Sequence, residues 1–234
     1  MAHISISRHQ MIFDPIKNNP QINIIGAGAT GSRLWLALVE LGLTNITVYD
    51  FDVVEGHNIA NQIYLSSDIG MPKVAALKKY YQLKTGKPTP DTMHFIAEKV
   101  SSETHDKTTL KGVVFLLTDT MKSRADIFDN LIVDSETFLM VETRMASSYG
   151  DVYVVNPFDE RETKAWRDTL VNDEDAEVSP CGASISVGPT ASIIANLAVW
   201  QTIHALTNKD VLDKVTNIHL KPLVLSLGDY DVAA

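Results

Sequence analysis

The sequence predicts an α/β protein with a doubly wound, Rossmann-like architecture: a mainly parallel sheet with helices on both of its faces. Apolar segments of strand length alternate with longer segments of helical character, an order typical of parallel sheets with right-handed crossovers. A glycine-rich loop, Gly26-Ala27-Gly28-Ala29-Thr30-Gly31, joins the first predicted strand to the first predicted helix. Acidic residues end two later strands, at Asp50 and Asp119.

The first predicted strand is rich in isoleucine and ends at a glycine, which is typical of a buried parallel strand. Gly42 is well placed to end the helix that follows. The predicted strands are residues 21–25, 45–49, 93–97, 113–117, 138–141, 151–155 and 218–227. The predicted helices are residues 30–41, 71–83, 122–132 and 188–206. Segment 158–180 is polar, with acidic residues concentrated at 173–177, and it is either a mobile excursion over the site or a solvated connector.

Length and composition exclude several classes of protein. With 234 residues and 45% hydrophobic content, the chain can bury a substantial core, and we expect a single domain over residues 1–234. The excess of 29 acidic over 20 basic residues disfavours nucleic-acid binding.

The longest apolar stretch, 185–206, is interrupted by Gly188-Pro189, Asn196 and Gln201, which indicates a buried helix rather than a membrane span. Residues 1–10 lack an apolar signal-peptide core and the chain has a single cysteine, so we expect a cytoplasmic protein without nucleic-acid or membrane partners.

The glycine loop has the features of a phosphate-binding turn. Gly28 lets a phosphate approach the backbone, Gly31 lets the helix lie close to the strand, and the free amide groups at the helix start favour an anion. Asp50, at the end of the second strand, can accept hydrogen bonds from ribose hydroxyls. These features fit NAD as well as ATP, and a tight turn without a ligand is the third interpretation.

The residues after Asp50 favour ATP. The chain reads Asp50-Phe51-Asp52-Val53-Val54-Glu55-Gly56-His57-Asn58-Ile59-Ala60-Asn61-Gln62, followed by Gly70-Met71-Pro72-Lys73 and later by Thr118-Asp119. This order resembles the ThiF, MoeB and HesA adenylyltransferases and the ubiquitin-activating enzymes, whose pattern is D-x-D-x-V-x-x-x-N-x-x-R-Q, then G-x-x-K, then a strand that ends in aspartate. The resemblance covers residues 20–132 well and the rest more loosely.

The resemblance implies an ATP-dependent adenylyltransferase that joins a carboxylate to the α-phosphate of ATP and releases pyrophosphate. The activated group would be the C-terminal glycine of a small ubiquitin-like or sulfur-carrier protein, or the carboxylate of a peptide or another molecule. The resemblance also implies a role for each residue of the pattern. Gly26, Gly28 and Gly31 would cradle the phosphates, Lys73 would reach them, and Asp119 would hold Mg²⁺. Asp50 would hold the ribose, and the nucleotide site would be completed by Asp52, Asn58 and Gln62.

Ordinary structural roles stay open for several of these residues. Asp119 precedes a helix and could be its N-cap, and Asp52 could brace the loop after the second strand. A lysine such as Lys73 on a helix is usually solvated. Arg33 either reaches a phosphate or lies on the exterior of its helix, and Arg124 is either part of the site or a surface charge.

The chain departs from the family pattern in two respects and partly matches it in a third. Asn61 stands where the family has arginine, which removes a guanidinium from the phosphate site. Arg8 lies in Ser7-Arg8-His9-Gln10, which partly resembles the N-terminal arginine that reaches a neighbouring subunit's nucleotide in relatives, so Arg8 predicts a homodimer unless the terminus is disordered. Paired Cys-x-x-Cys motifs are missing, so no structural zinc is expected.

Cys181 has two interpretations. A cysteine at about this distance before a Gly-Pro helix start takes part in sulfur transfer or a covalent carrier link in ThiF-like proteins, whereas a lone cysteine is most often a small buried apolar residue. For the whole chain, an adenylyltransferase is the leading hypothesis. The alternatives are a degenerate nucleotide-binding interaction protein, motivated by Asn61, and a nicotinamide-dependent oxidoreductase, which leaves Lys73 and Asp119 unexplained.

Overall fold

The computed structural model describes residues 4–171, 186–207 and 214–230. The strands are β1 (Ile22–Ile25), β2 (Ile46–Tyr49), β3 (His94–Ile96), β4 (Lys111–Leu116), β5 (Glu136–Met145), β6 (Tyr149–Val155), β7 (Val215–Leu220) and β8 (Leu223–Gly228). The α-helices are α1 (Ala29–Glu40), α2 (Lys73–Thr85), α3 (Met121–Ile127), α4 (Glu160–Asp168) and α5 (Gly188–Thr207). A π-helical turn over Phe128–Ile132 continues α3.

One eight-stranded sheet runs through the described residues in the order β3-β2-β1-β4-β5-β6-β7-β8. Strands β3, β2, β1, β4 and β5 are parallel, and β6, β7 and β8 add to β5 in antiparallel fashion. The order reverses at β1, since β2 lies on one side of it and β4 on the other. In open α/β sheets, ligands bind outside the carboxyl ends of the strands at such a reversal.

Both faces of the sheet are covered by helices, which confirms the predicted doubly wound α/β class. Alternate residues of one strand point to opposite faces, and in β4 Val113 and Phe115 join one apolar core while Val114 and Leu116 join the other. Helices α1, α2 and α5 supply the first core. The second core contains the end of α3, its π-helical turn and Trp166 of α4, whose side chain is fully buried.

The main departure from the sequence prediction is at the C-terminal end of the sheet. The single strand predicted over 218–227 is two antiparallel strands, β7 and β8, joined by a turn at Lys221–Pro222. Proline cannot donate to a sheet ladder, so the apolar run breaks there. The first part of segment 158–180 is helical as α4, and residues 172–180 lie outside the described residues. Within the described chain, no helix combines the length and apolar character that a membrane crossing needs.

Candidate functional site

A cleft of about 430 Å³ opens at the carboxyl ends of β1, β2 and β4, where the strand order reverses. The loops after these three strands form most of its wall, and residues after β3 close one side. The polar residues that line it are Asp50, Asp52, Lys73, Glu98, Lys99, Thr118, Asp119, Thr120 and Ser123. The position is the one expected for a nucleotide on this type of sheet.

The glycine loop crosses the floor of the cleft, and its three glycines have different physical requirements. Gly26 adopts a φ of +103°, and a Cβ there would lie 2.7 Å from the carbonyl oxygen of Leu117. A Cβ at Gly31 would lie 1.9 Å from the carbonyl oxygen of Gly26, so the first turn of α1 can pack on the loop only without a side chain. Gly28 faces open space, with no heavy atom within 4 Å of its ideal Cβ. Gly26 and Gly31 therefore serve the fold, while Gly28 leaves room beside α1 for a ligand.

Asp50 ties the glycine loop to the end of β2. Its Oδ2 accepts the amide of Ala27 at 2.6 Å, and its Oδ1 accepts the amide of Asp52 at 2.8 Å. Burial raises the pKa of this carboxyl, against the lowering effects of Lys73 and the two amide bonds. Tyr64 supports the same loop by donating its hydroxyl to the carbonyl of Ala27 at 2.7 Å. Asp50 thus has a structural role whether or not it also meets a ribose.

Lys73, at the start of α2, is a buried ammonium between two carboxylates. Its Nζ lies 2.6 Å from Oδ2 of Asp52 and 4.0 Å from Oδ1 of Asp50, and the residue is 6% exposed. The solvated-lysine alternative is thereby excluded. Asp52 braces the loop through this pair, and its half-exposed side chain still faces the cleft.

Asp119 stands exposed on the wall of the cleft, in the loop that follows β4. The N-cap of α3 is Thr120, whose hydroxyl accepts the amide of Ser123 at 3.2 Å, so the N-cap alternative for Asp119 is wrong. No cluster of three or more His, Cys, Asp or Glu side chains suited to a metal occurs in the described part of the chain. Magnesium bound with a nucleotide usually takes one or two protein carboxylates plus phosphate oxygens and water, and a single free carboxylate fits that pattern.

A buried ionic network lies beneath the loop that carries Asp119. Arg124, for which a surface position was an open alternative, is only 7% exposed. Its guanidinium pairs with the fully buried Glu142 on β5 and donates from Nε and Nη2 to the carbonyl oxygen of Thr118, at 2.9 and 2.5 Å. Glu142 also accepts bonds from Arg144 at 3.0 Å and from the indole of Trp166 at 3.2 Å. This network holds the end of β4 in place.

Asn58 and Gln62 lie on the segment that leads away from β2 and are outside the lining of the cleft. Asn58 is buried and accepts the amide of Glu55 at 2.8 Å, which closes the short 3-10 turn Gly56–Ala60. The side-chain oxygen of Gln62 is buried and has no partner among the described residues. Their predicted contacts with a nucleotide stay predictions.

Arg8 lies near the other end of α1. It lines a groove with Glu40 and Leu41, whereas the glycine loop is at the start of the same helix. A helix of 12 residues is roughly 18 Å long, so Arg8 is out of reach of the cleft in its own chain. Cys181 lies outside the described residues.

Sequence reasoning missed two residues of the cleft and left the environment of a third residue, Arg124, undecided. Glu98 and Lys99 line the cleft after β3 and directly follow the strand predicted over 93–97, so the pattern that identified Asp50, a charged residue at the end of a strand, could have found them. The burial of Arg124 had no local signal, because its partner Glu142 lies on another strand.

The comparison with protein families decides the class. The ThiF family model matches residues 14–226, which is nearly the whole chain. The chain belongs to the ThiF family. Membership confirms the family resemblance in the sequence and, with it, the implied type of enzyme, an ATP-dependent adenylyltransferase that activates a carboxylate.

Solved structures share the fold of this ThiF family member. A crystal structure of PaaA matches with a TM-score of 0.70 and 17% identity, over 96% of this chain and 68% of that one. E. coli MccB with AMPCPP and MccA matches with a TM-score of 0.65 and 15% identity, over 96% of this chain and 68% of that one. E. coli MccB with ATP matches with a TM-score of 0.64 and 13% identity, over 94% of this chain and 65% of that one. At these identities the likeness shows the fold alone, and this chain spans about two thirds of their length. No curated protein matches the sequence.

Proposed function

We propose that this ThiF family member adenylates the C-terminal carboxylate of a small ubiquitin-like or sulfur-carrier protein, or of a peptide, with ATP bound in the cleft at the reversal of the sheet. The observation that carries the proposal is the convergence of Gly28, the Asp50–Lys73 pair and Asp119 on that one cleft. The structures of E. coli MccB with ATP and with MccA, which share the fold, support ATP as the nucleotide.

The chemistry needs positioning and charge neutralisation. A carboxylate oxygen of the substrate attacks the α-phosphorus, the bond to the β-phosphate breaks, and pyrophosphate leaves with the electron pair. The amide groups around Gly28 would receive the phosphates, and Lys73 would offset their charge. Asp119 would hold Mg²⁺, which neutralises negative charge on the phosphate oxygens.

ATP–pyrophosphate exchange with candidate carrier proteins and peptides tests the proposal. We expect exchange in the wild type and a loss of at least about 100-fold in Asp119→Asn, since charge stabilisation at the transferring phosphate is the largest contribution to catalysis. Asp134→Asn is the matched control, because Asp134 is exposed, lies outside the lining of the cleft and has a φ of 59° that asparagine tolerates. Exchange that survives Asp119→Asn unchanged would contradict the metal assignment.

Asn61 favours a second candidate function, a nucleotide-binding interaction protein without catalysis. That protein would be stabilised against melting by Mg-ATP and would show no exchange with any carrier. Stabilisation by NAD and none by Mg-ATP would instead indicate the oxidoreductase.

We further propose that the active form is a homodimer in which Arg8 of one chain serves the cleft of the other. Arg8 cannot reach its own cleft, and Ile12 and Trp200, which line the same groove, are 62% and 59% exposed. Exposed apolar side chains beside a groove are typical of protein interfaces. Mixing inactive Arg8→Ala and Asp119→Asn chains should restore about a quarter of the wild-type activity, because half of the dimers then contain one intact site. A monomer that is fully active would refute this proposal.

Cys181 is proposed as an acceptor after adenylation. Its thiolate would attack the acyl carbonyl of the adenylate and release AMP, leaving a thioester. Cys181→Ser should then retain ATP–pyrophosphate exchange and lose any adduct that is sensitive to thiols. An adduct that survives this substitution would exclude the role.

A further inference from the structure

The cleft has few free cations for a triphosphate. Lys73 already lies between Asp52 and Asp50, and Glu98 and Asp119 add two further carboxylates to the lining. Lys99 is the remaining basic residue of the lining and is exposed at its edge. A site that releases pyrophosphate needs cationic donors at the terminal phosphates. A further guanidinium beside the glycine loop would supply them.

Arg33 has free donors close to that loop. It lies on α1 two residues after Gly31, is partly buried, and stands next to the residues that line the cleft rather than among them. Its one hydrogen bond to the described residues runs from Nη2 to the carbonyl oxygen of Asn61 at 3.4 Å, near the upper limit for such a bond. Its Nε is buried without a partner in the described part of the chain. A guanidinium offers five donors, so most of the binding capacity of Arg33 is unused.

The groups around Arg33 form a polar pocket, which we define by Arg33, Asn61, Ser186 and Gly188. Oδ1 of Asn61 and Oγ of Ser186 are both buried and unpartnered among the described residues. The amide nitrogen of Asn61 reaches the carbonyl of Ser186 only at 3.4 Å. With Nε of Arg33, three neighbouring residues each carry an unpartnered buried polar atom, which is costly and indicates that a ligand or ordered water completes the pocket.

Gly188 lets the three segments of this polar pocket approach each other. A Cβ at Gly188 would lie 3.1 Å from Nη2 of Arg33 and 3.3 Å from the carbonyl oxygen of Ala60. The guanidinium of Arg33 is therefore held against the backbone of residues 60–61. Residue 61 is the position at which the family has its arginine. A positive charge therefore lies beside the backbone of residue 61, but it comes from α1.

We propose that Arg33 binds the terminal phosphates of ATP, and pyrophosphate after cleavage, in place of the arginine that the family has at position 61. The proposal rests on the proposed adenylation function and assigns one of its phosphate-binding residues. The planar fork of a guanidinium suits two phosphate oxygens at once, which a lysine in that position could not match.

A rescue experiment tests the proposal. Binding of Mg-ATP, AMP and inorganic pyrophosphate is measured by calorimetry for wild type, Arg33→Ala, Asn61→Arg and the Arg33→Ala/Asn61→Arg double variant. Arg33→Ala should weaken ATP and pyrophosphate binding by about 10- to 100-fold, with AMP affected less than about 3-fold, because AMP lacks the terminal phosphates. The double variant should regain most of the lost affinity. Arg161→Ala is the matched control, since Arg161 is 84% exposed on α4, which packs on the opposite face of the sheet from α1.

The outcomes separate this inference from the function on which it rests. If the wild type does not bind ATP, the proposed function fails and this inference fails with it. If the wild type binds ATP and Arg33→Ala binds it equally well, only the role of Arg33 is overturned. Equal losses for ATP and AMP, or a double variant that stays as weak as Arg33→Ala, would show that Arg33 only braces residues 60–61 and would overturn it too.

Discussion

Arg124 and Glu142 form a buried ion pair that joins α3 to β5 beneath the loop that carries Asp119. The same guanidinium donates two bonds to the carbonyl of Thr118, so the pair holds the backbone from which Asp119 extends into the cleft. A buried pair of this kind is seldom a large source of net stability, but its disruption leaves a charge without a partner. Its value here is in positioning the loop.

Removal of the Arg124 charge should damage both stability and activity. Arg124→Met leaves Glu142 buried with Arg144 as its remaining cation and frees the Thr118 carbonyl, so we expect a loss of about 3 kcal/mol in the free energy of unfolding. Urea denaturation measures this loss. ATP–pyrophosphate exchange at a temperature where the variant is folded should also fall, since Asp119 loses its support.

Arg167→Met provides the comparison for that prediction. Arg167 pairs with Asp129 on the surface, where the two side chains are 38% and 45% exposed, so its loss should cost about 1 kcal/mol or less. Similar losses in the two variants would mean that the buried pair has no special role.

Alanine substitutions at two glycines of the same loop should affect different properties: the stability of the fold at Gly31 and the affinity for ATP at Gly28. Gly31→Ala places a methyl group 1.9 Å from the carbonyl oxygen of Gly26, and we expect it to lower the free energy of unfolding by at least about 2 kcal/mol. Gly28→Ala has open space, and its φ of −73° with a ψ of −148° lies just beyond the β region, so we expect a loss of about 1 kcal/mol or less. The methyl group would nevertheless stand where a phosphate approaches, and ATP affinity should fall by about 10-fold or more.

Thermal melting with and without Mg-ATP distinguishes these effects. The assignment of Gly28 to the phosphate site would be wrong if Gly28→Ala retained wild-type ATP affinity. A fully stable Gly31→Ala would instead mean that α1 can move away from the loop at little cost.

The pKa of Asp50 predicts a pH-dependent contribution to stability. Because burial raises this pKa above its ordinary value of 3.8, the folded state holds the proton more tightly than the unfolded state. The resulting stabilisation is fully present below about pH 3.8 and is lost as the pH rises through the folded pKa. Asp50→Asn removes this titration while keeping an acceptor for the amide of Ala27.

As the pH rises from about 4 to 7, the free energy of unfolding of the wild type should therefore fall relative to that of Asp50→Asn. Melting curves at intervals across that range measure it, and the shared titrations of other carboxylates cancel in the difference. A difference that stays constant, or moves in favour of the wild type, would mean that Lys73 outweighs burial at this carboxyl.

Local features of the sequence were sufficient to predict the elements in the first half of the fold and most of the residues that line the cleft. The strand at residues 22–25, the glycine loop and α1 were predicted to within one residue at each end, because their pattern is contained in adjacent residues. The hairpin of β7 and β8 was not predicted, because the apolar residues on both sides of Lys221–Pro222 have the pattern of one continuous strand. The environment of Arg33 was undecided too, since it depends on residues 60–61 and 186–188 from distant parts of the chain.

Lys73 offers a direct test of the electrostatics of the cleft. With Lys73→Met, the carboxylates of Asp50 and Asp52 face the incoming phosphates without their shared cation, so ATP affinity should fall by at least about 10-fold. If repulsion causes the loss, a second substitution, Asp52→Asn, should recover part of it, because the half-exposed Asp52 would then carry no charge. Calorimetric titration of the two single variants and the double variant yields the coupling between the residues. Additive effects would show instead that Lys73 acts on the phosphates independently of Asp52, and an unchanged ATP affinity in Lys73→Met would remove it from the site.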